Sequence, residues 1–162
     1  MLMVFSHSLI SGLLVFSALP DPGAHSFEAF FSGKTLRVDF VLAGNSKESS
    51  IFLDEIRREG EWAGTRANLD DPFNFGQYKF HVRDESTGKL IYSRGFCTLY
   101  EEWRTTPEAD NLSRAFDQVI VFPEPLGPVT LEIFERDAEN IFRPGLKIRI
   151  DPSDPYILEG LN

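Results

Sequence analysis

Alternation of apolar and polar residues constrains this chain more than any other feature. In residues 34–42, apolar side chains occupy positions 36, 38, 40 and 42, and the polar Arg37 and Asp39 lie between the first three. A period of two places successive side chains on opposite faces of a β-strand. The same kind of run recurs along the chain, over residues 50–56, 78–83, 90–94, 119–122, 129–133 and 146–150. Gly, Pro and Asn separate these runs, so the pattern predicts an all-β fold, an antiparallel β-sandwich of about seven strands.

One stretch departs from this period. Residues 99–103 have helical spacing, and Thr106-Pro107-Glu108 resembles a helix start with a capping hydroxyl, a first-turn proline and an acidic group. Leu112 and Phe116 are four residues apart and would share one helical face. These features predict a short helical insertion near 99–116.

The amino-terminal residues favour export. Residues 9–19 are nearly all apolar or small, and eleven residues span about 16 Å as a helix, too short for a bilayer core of about 30 Å. Ala24-His25-Ser26 resembles a cleavage site, although no Lys or Arg precedes Lys34. We expect a signal peptide over 1–26, a single domain over 27–162, and a secreted, periplasmic or cell-surface location. The alternatives are a misassigned start and a buried strand or helix.

Charge and residue counts exclude several functions. The 162 residues include 25 acidic and 16 basic side chains, a net charge of −9, which argues against a nucleic-acid partner. The lone Cys97 excludes an internal disulfide framework and a cysteine-based zinc site. Cys97 follows a predicted strand in an apolar context, so we expect a buried structural thiol.

Histidine is scarcer still. His7 and His25 lie in the predicted signal peptide, which leaves His81. No H-E-x-x-H pair occurs, and a nucleophile–histidine arrangement would depend on His81 alone. That residue lies mid-strand between Lys79 and Arg83, where a solvated histidine is expected. We therefore predict no catalytic residue and no cofactor.

Acidic loops are the remaining places for a metal. Asp70-Asp71, Asp137 with Glu139 and Asn140, and Asp151 with Asp154 could each supply oxygen ligands to Ca²⁺. None has EF-hand spacing, and the same residue types form turns, so no metal site is predicted. A hydrolase built on two carboxylates stays open as a third alternative.

Aromatic residues in predicted loops are the candidates for contact with a ligand or partner. They are Trp62, Phe73, Phe75 and Trp103. Loop aromatics are often functional, and packing beneath the loops is the alternative.

A set of short motifs, taken in order, carries a family resemblance. The set comprises residues 34–40 (KTLRVDF), Gly44-Asn45, 53–55 (LDE), 62–64 (WAG), 82–84 (VRD), 87–92 (TGKLIY), Glu102-Trp103 and 153–156 (SDPY). Together they resemble the amino-terminal domain of the bacterial IgA metallopeptidase family, metallopeptidase family sixty-four. The likeness covers about residues 27–157.

The resemblance implies a layout of export signal, β-sandwich domain and zinc-peptidase domain bearing H-E-x-x-H. No position here matches the zinc ligands or the general base, so it implies a non-catalytic accessory domain. Its partner would be a metallopeptidase catalytic domain, in cis as in relatives or in trans, on which it packs or to which it presents substrate. The alternative is a stand-alone secreted binding module for a glycan or a surface protein.

Overall fold

The computed structural model describes residues 26–160. Its strands form two four-stranded sheets, packed face to face and ordered β5-β1-β2-β8 and β4-β3-β6-β7. A 3-10 turn at Phe27–Ala29 precedes the first strand. The elements, in chain order, are β1 (Phe31–Gly44), β2 (Ser49–Glu61), β3 (Tyr78–Asp84), β4 (Leu90–Phe96), α1 (Leu99–Arg104), β5 (Arg114–Pro125), β6 (Val129–Arg136), β7 (Phe142–Ile150) and β8 (Leu158–Glu159).

This architecture confirms the predicted all-β sandwich. Each of the seven predicted runs lies within an observed strand, and all pairings are antiparallel except that of β8 with β2. The eighth strand has two residues, which is too short to show a period. Apart from Ser26, the predicted signal peptide lies outside the described residues.

The alternation builds the core between the sheets. On β1, Leu36, Val38 and Phe40 are at most 1% exposed, and they face the second sheet. Phe80 of β3 and Phe122 of β5 meet across the sheets with ring centroids 6.1 Å apart. Burying each such side chain contributes roughly 1.5–3 kcal/mol, so these rows hold the two sheets together.

The helical insertion begins at Leu99, where its spacing predicted, but it is shorter than predicted and ends at Arg104. Thr98 caps the amino end of helix α1, because its Oγ1 accepts a hydrogen bond from the Glu101 amide at 3.2 Å. Thr106 does not cap a second helix, because its hydroxyl donates back to the Trp103 carbonyl. Glu108 accepts from the Trp103 indole at 2.7 Å. Residues 105–111 form turns and bends.

The end of the predicted insertion is a strand. Phe116 belongs to β5, so it does not share a helical face with Leu112. It packs instead against Tyr100 and Trp103 of α1, with ring centroids 5.5 Å from each. The four-residue spacing therefore joins a loop residue and a strand residue, and it does not reflect a helix.

Strand β2 is only partly paired along the edge that faces away from β1. Strand β8 pairs with Arg57 and Arg58, and Gly160 donates to the Arg58 carbonyl. An irregularity in the β1–β2 register sets Asp54 apart, between the pairs Asp39–Glu55 and Phe40–Leu53. Residues 49–56 therefore form an open edge within the described part of the chain.

Candidate functional site

The outer face of the first sheet is a broad exposed surface formed by four segments of the chain. One row across it consists of Leu158, Arg57, Arg37 and Val121, and the next consists of Glu55, Asp39 and Val119. A third row joins Phe52, Val41 and Asp117. We call these three rows the first-sheet face.

The polar centre of this face is internally paired. Arg37 donates to both carboxylate oxygens of Asp39, at 2.8 to 3.0 Å, and Asp39 is only 8% exposed. The hydrogen bond to Asp39 is the largest effect raising the pKa of Arg37. Arg57 also pairs with Glu55, through its Nε alone. A partner that covers these groups would bury charges that already have counter-ions. This pairing lowers the free-energy cost of removing water from them.

The flanks of the face are apolar and open. Val119 and Val121 on β5 are 48% and 42% exposed, and Phe52 and Leu158 on the other side are 56% and 45% exposed. Exposed apolar side chains such as these contribute to binding when a partner covers them. The face therefore combines a neutralised centre with apolar flanks.

A cleft lies beside this face, where the two sheets part. It has a volume of about 510 Å³ and lies between the start of β2, at residues 49–52, and residues 143–145 of β7. Arg104, Glu135, Arg136 and Asp137 line the rest. We call it the edge cleft. Burial lowers the pKa of Arg104, but Glu101 and Glu135 outweigh that effect and the pKa is raised, so this guanidinium stays charged.

Two of the predicted contact residues pack within the fold. Trp103 is 9% exposed in α1. Trp62 is half-buried, lies edge-on to Tyr92 at 6.1 Å, and donates from its indole to the Thr65 carbonyl. Both side chains stabilise loops and the helix against the sandwich, and neither belongs to the first-sheet face.

The other two are exposed. Phe73 and Phe75 are 70% and 73% exposed, and their rings are stacked with centroids 5.7 Å apart and planes 7° apart. Asn74 between them has a positive φ of 53°, and its carbonyl accepts from Arg136. The two rings are therefore nearly parallel, and both are open to solvent. A contact role for all four aromatic residues stays a prediction.

Cys97 and His81 differ from expectation. Cys97 is exposed, because Phe96 packs on the core and Thr98 is buried as the helix cap, so the residue between them points outward. His81 is half-buried instead of fully solvated. Phe134 lies 4.9 Å from it between ring centroids, and the loop residues Asp71 and Asn74 close a small cavity beside it.

The acidic loops are used locally. Asp137 accepts from the amides of Glu139 and Ile141, and Asp151 and Asp154 accept from amides two residues onward. Asp71 accepts from the Phe73 amide. Within residues 26–160, no three His, Cys, Asp or Glu side chains are grouped to hold a metal ion.

With this geometry established, comparison with known families is decisive. Residues 26–146 match the family model described as Peptidase M64 N-terminus. The chain belongs to this family. The resemblance in the ordered motifs is thereby confirmed. The β-sandwich of this chain is an amino-terminal domain of the M64 peptidase family. A search of curated proteins finds no match.

The first-sheet face of this M64 amino-terminal domain was not identified from sequence. Arg37 and Asp39 both lie in the motif KTLRVDF at residues 34–40, so both members of this ion pair occur in the sequence as polar residues that alternate with apolar ones within one strand. Its apolar flanks come from distant segments, and only the strand order joins them. Within the described residues, no helix has the length and apolar character needed to cross a bilayer.

Proposed function

We propose that this chain is the non-catalytic amino-terminal accessory domain of a secreted IgA-type zinc metallopeptidase. It packs on a catalytic domain through the first-sheet face and helps to present substrate to it. Membership of the peptidase M64 amino-terminal family supports the peptidase connection. The zinc ligands and general base belong to the catalytic domain in this proposal, since the 162 residues contain no H-E-x-x-H motif.

The position of strand β8 is the observation that supports this choice of surface. This last strand extends the first sheet at its edge, and Leu158 continues the row through Arg57, Arg37 and Val121. A domain that follows β8, as in the family layout, would be tethered at the edge of the same face. A short tether favours docking on the nearest open surface, because the effective concentration there is high.

The energetics of the face suit such docking. Exposed apolar side chains at Val119, Val121 and Phe52 gain about 25 cal/mol per Å² when covered. The carboxylate of Asp39 keeps its hydrogen bonds from Arg37, so burial leaves this charge paired. The partner surface is expected to be apolar opposite the flanks and weakly charged opposite the centre.

A binding titration tests the proposal. The purified chain is titrated by calorimetry with a separately produced M64 catalytic domain, and the double variant Val119→Lys/Val121→Lys is compared. We expect saturable binding by the natural chain and at least a tenfold loss in the variant, since two buried ammonium groups lack partners. Ile141→Lys is the matched control, because Ile141 is 49% exposed on the loop joining β6 and β7 and should leave binding unchanged.

The non-catalytic part has its own test. The purified chain is incubated with Zn²⁺ and with immunoglobulin A, and cleavage is followed by electrophoresis. No cleavage above the level of a chelated control is expected. Zinc-dependent cleavage by this chain alone would contradict the assignment of catalysis to a separate domain, whatever the titration shows.

A further inference from the structure

The open edge of β2 differs from the other sheet edges described in residues 26–160. The edge of β4 is covered, because Ser93 donates to the Leu69 carbonyl and Gly95 to Asp71. Strand β7 carries Pro144 and the charged Lys147 and Arg149, and β5 ends in prolines. Prolines and charges are the usual devices that prevent unwanted strand pairing.

Residues 49–53 carry none of these devices. The segment reads Ser-Ser-Ile-Phe-Leu, without a charge or a proline, and no backbone partner lies on its outer side within the described chain. Phe52 and Leu53 are exposed there. An uncharged, apolar, unpaired edge is a template for an added strand.

The edge cleft provides room for such a strand. Strand β7 approaches closely at Gly145, where a Cβ atom would lie 2.6 Å from Ile51 Cδ1. The two strands are therefore close at this point. The cleft of about 510 Å³ lies between residues 49–52 of β2 and residues 143–145 of β7. A segment of about five residues in extended form spans roughly 16 Å, which is the length of the uncharged residues 49–53 of this open edge.

The charge in the cleft favours an acidic ligand. Glu135 accepts from Arg104 Nη1 at 2.6 Å, and Asp137 accepts from Arg143 Nε and the Ile141 amide, each at 2.7 Å. Both carboxylates are therefore occupied. Arg143 pairs with Asp137 through Nε only, so its terminal nitrogens, which have no partner in the described residues, can donate to a ligand carboxylate.

A second free donor lies on the β2 side. Ser49 Oγ is buried and has no hydrogen-bond partner in the described residues, and Ser49 lines the cleft. Buried hydroxyls are nearly always hydrogen-bonded, so an orphaned one calls for an explanation. A ligand oxygen in the cleft would satisfy it.

We propose that the edge cleft binds an extended acidic peptide segment of another protein, which adds as a strand to residues 49–53 and places a carboxylate on Arg143. Backbone hydrogen bonds to β2 supply affinity, and Arg143 and Ser49 select the acidic group. The inference stands on the cleft alone and does not depend on docking of a catalytic domain.

The test uses a defined probe, the end-blocked peptide Thr-Val-Thr-Glu-Thr-Val-Thr, added to the ¹⁵N-labelled chain. We expect saturable amide shifts at residues 49–53 and 143–145, with a Kd of about 1 mM or tighter. Replacing the probe's Glu by Gln should weaken binding about fivefold, and an analogue with proline in place of the central Thr residues should not bind. Arg143→Glu should weaken it about tenfold.

Arg149→Glu is the matched control, since Arg149 lies on the same strand, is exposed and pairs with Glu85 outside the cleft. It should change the Kd less than twofold. The proposal is overturned by an absence of shifts at 49–53 at about 5 mM probe, by equal binding of the proline analogue, or by equal losses in the two arginine variants. Concentration-dependent shifts at 49–53 without probe would show pairing between two copies and would also overturn it.

Discussion

Arg104 of α1 donates to Glu135 of β6 with Nη1 and Oε1 2.6 Å apart. The same guanidinium donates from Nε to the carbonyl of Asn45 at 2.9 Å, immediately after β1. One side chain therefore connects the helix, the second sheet and the end of the first sheet. Both ionic groups are largely buried, with side-chain exposures of 15% and 22%. Water therefore cannot fully hydrate either group if its partner is removed.

Removing this guanidinium should destabilise the whole sandwich. Arg104→Ala leaves Glu135 partly buried without its counter-ion, and we expect the free energy of unfolding to fall by about 2–4 kcal/mol. Urea denaturation measures the change. Arg149→Ala, which breaks an exposed pair with Glu85, should cost less than about 1 kcal/mol. Equal losses in the two variants would contradict a special role for Arg104.

Gly95 fixes the loop that carries the stacked rings. A Cβ at this position would lie 1.8 Å from the Phe75 carbonyl oxygen, closer than any real contact. Gly95→Ala should displace residues 71–76, lower stability by about 1–3 kcal/mol, and speed hydrogen exchange in that loop. Gly60→Ala has nothing within 4 Å of the new atom and should be neutral. Unchanged exchange at 71–76 in Gly95→Ala would show that the close approach is wrong.

His81 should make stability depend on mild acid. Burial, followed by the charges of Lys79 and Arg83, lowers the pKa of His81 below its ordinary value of 6.5. As pH falls through about 6.5, the unfolded chain binds a proton that the folded chain does not, so the folded state loses stability until its own lowered pKa is passed.

His81→Gln removes this effect. Urea unfolding at about pH 7.5 and 5.5, a window above most carboxylate titrations, should show a larger loss for the natural chain than for the variant. Identical pH dependence in the two proteins would mean that the pKa of His81 is not lowered by folding.

The fold could be predicted wherever period-two alternation was the only pattern in a segment. Period-two alternation located seven strands because each buries one face. Alternation places the start of β5 at residue 119, whereas the strand begins at residue 114. Phe116 also fits a helical spacing, and its contacts with Tyr100 and Trp103 of α1 are tertiary, so the local sequence does not reveal them. Cys97 was misplaced because apolar neighbours do not reveal which side of the chain faces the core.

The candidate site was less accessible to sequence reasoning. The first-sheet face depends on register, which brings Val121, Arg37, Arg57 and Leu158 from four segments into one row. The edge cleft depends on strand order, because the openness of residues 49–53 follows from β8 pairing with only two residues of β2. Neither register nor strand order can be read from local periodicity.

Protection of the first-sheet face by a catalytic domain tests the central claim most directly. A single thiol is placed there by Val121→Cys on a Cys97→Ser background, with Ile141→Cys on the same background as the control. Alkylation rates are measured with and without the M64 catalytic domain in excess. We predict at least tenfold slower alkylation at position 121 and no change at 141. Equal rates at position 121 with and without the catalytic domain, or slowing at 141 alone, would contradict docking through this face.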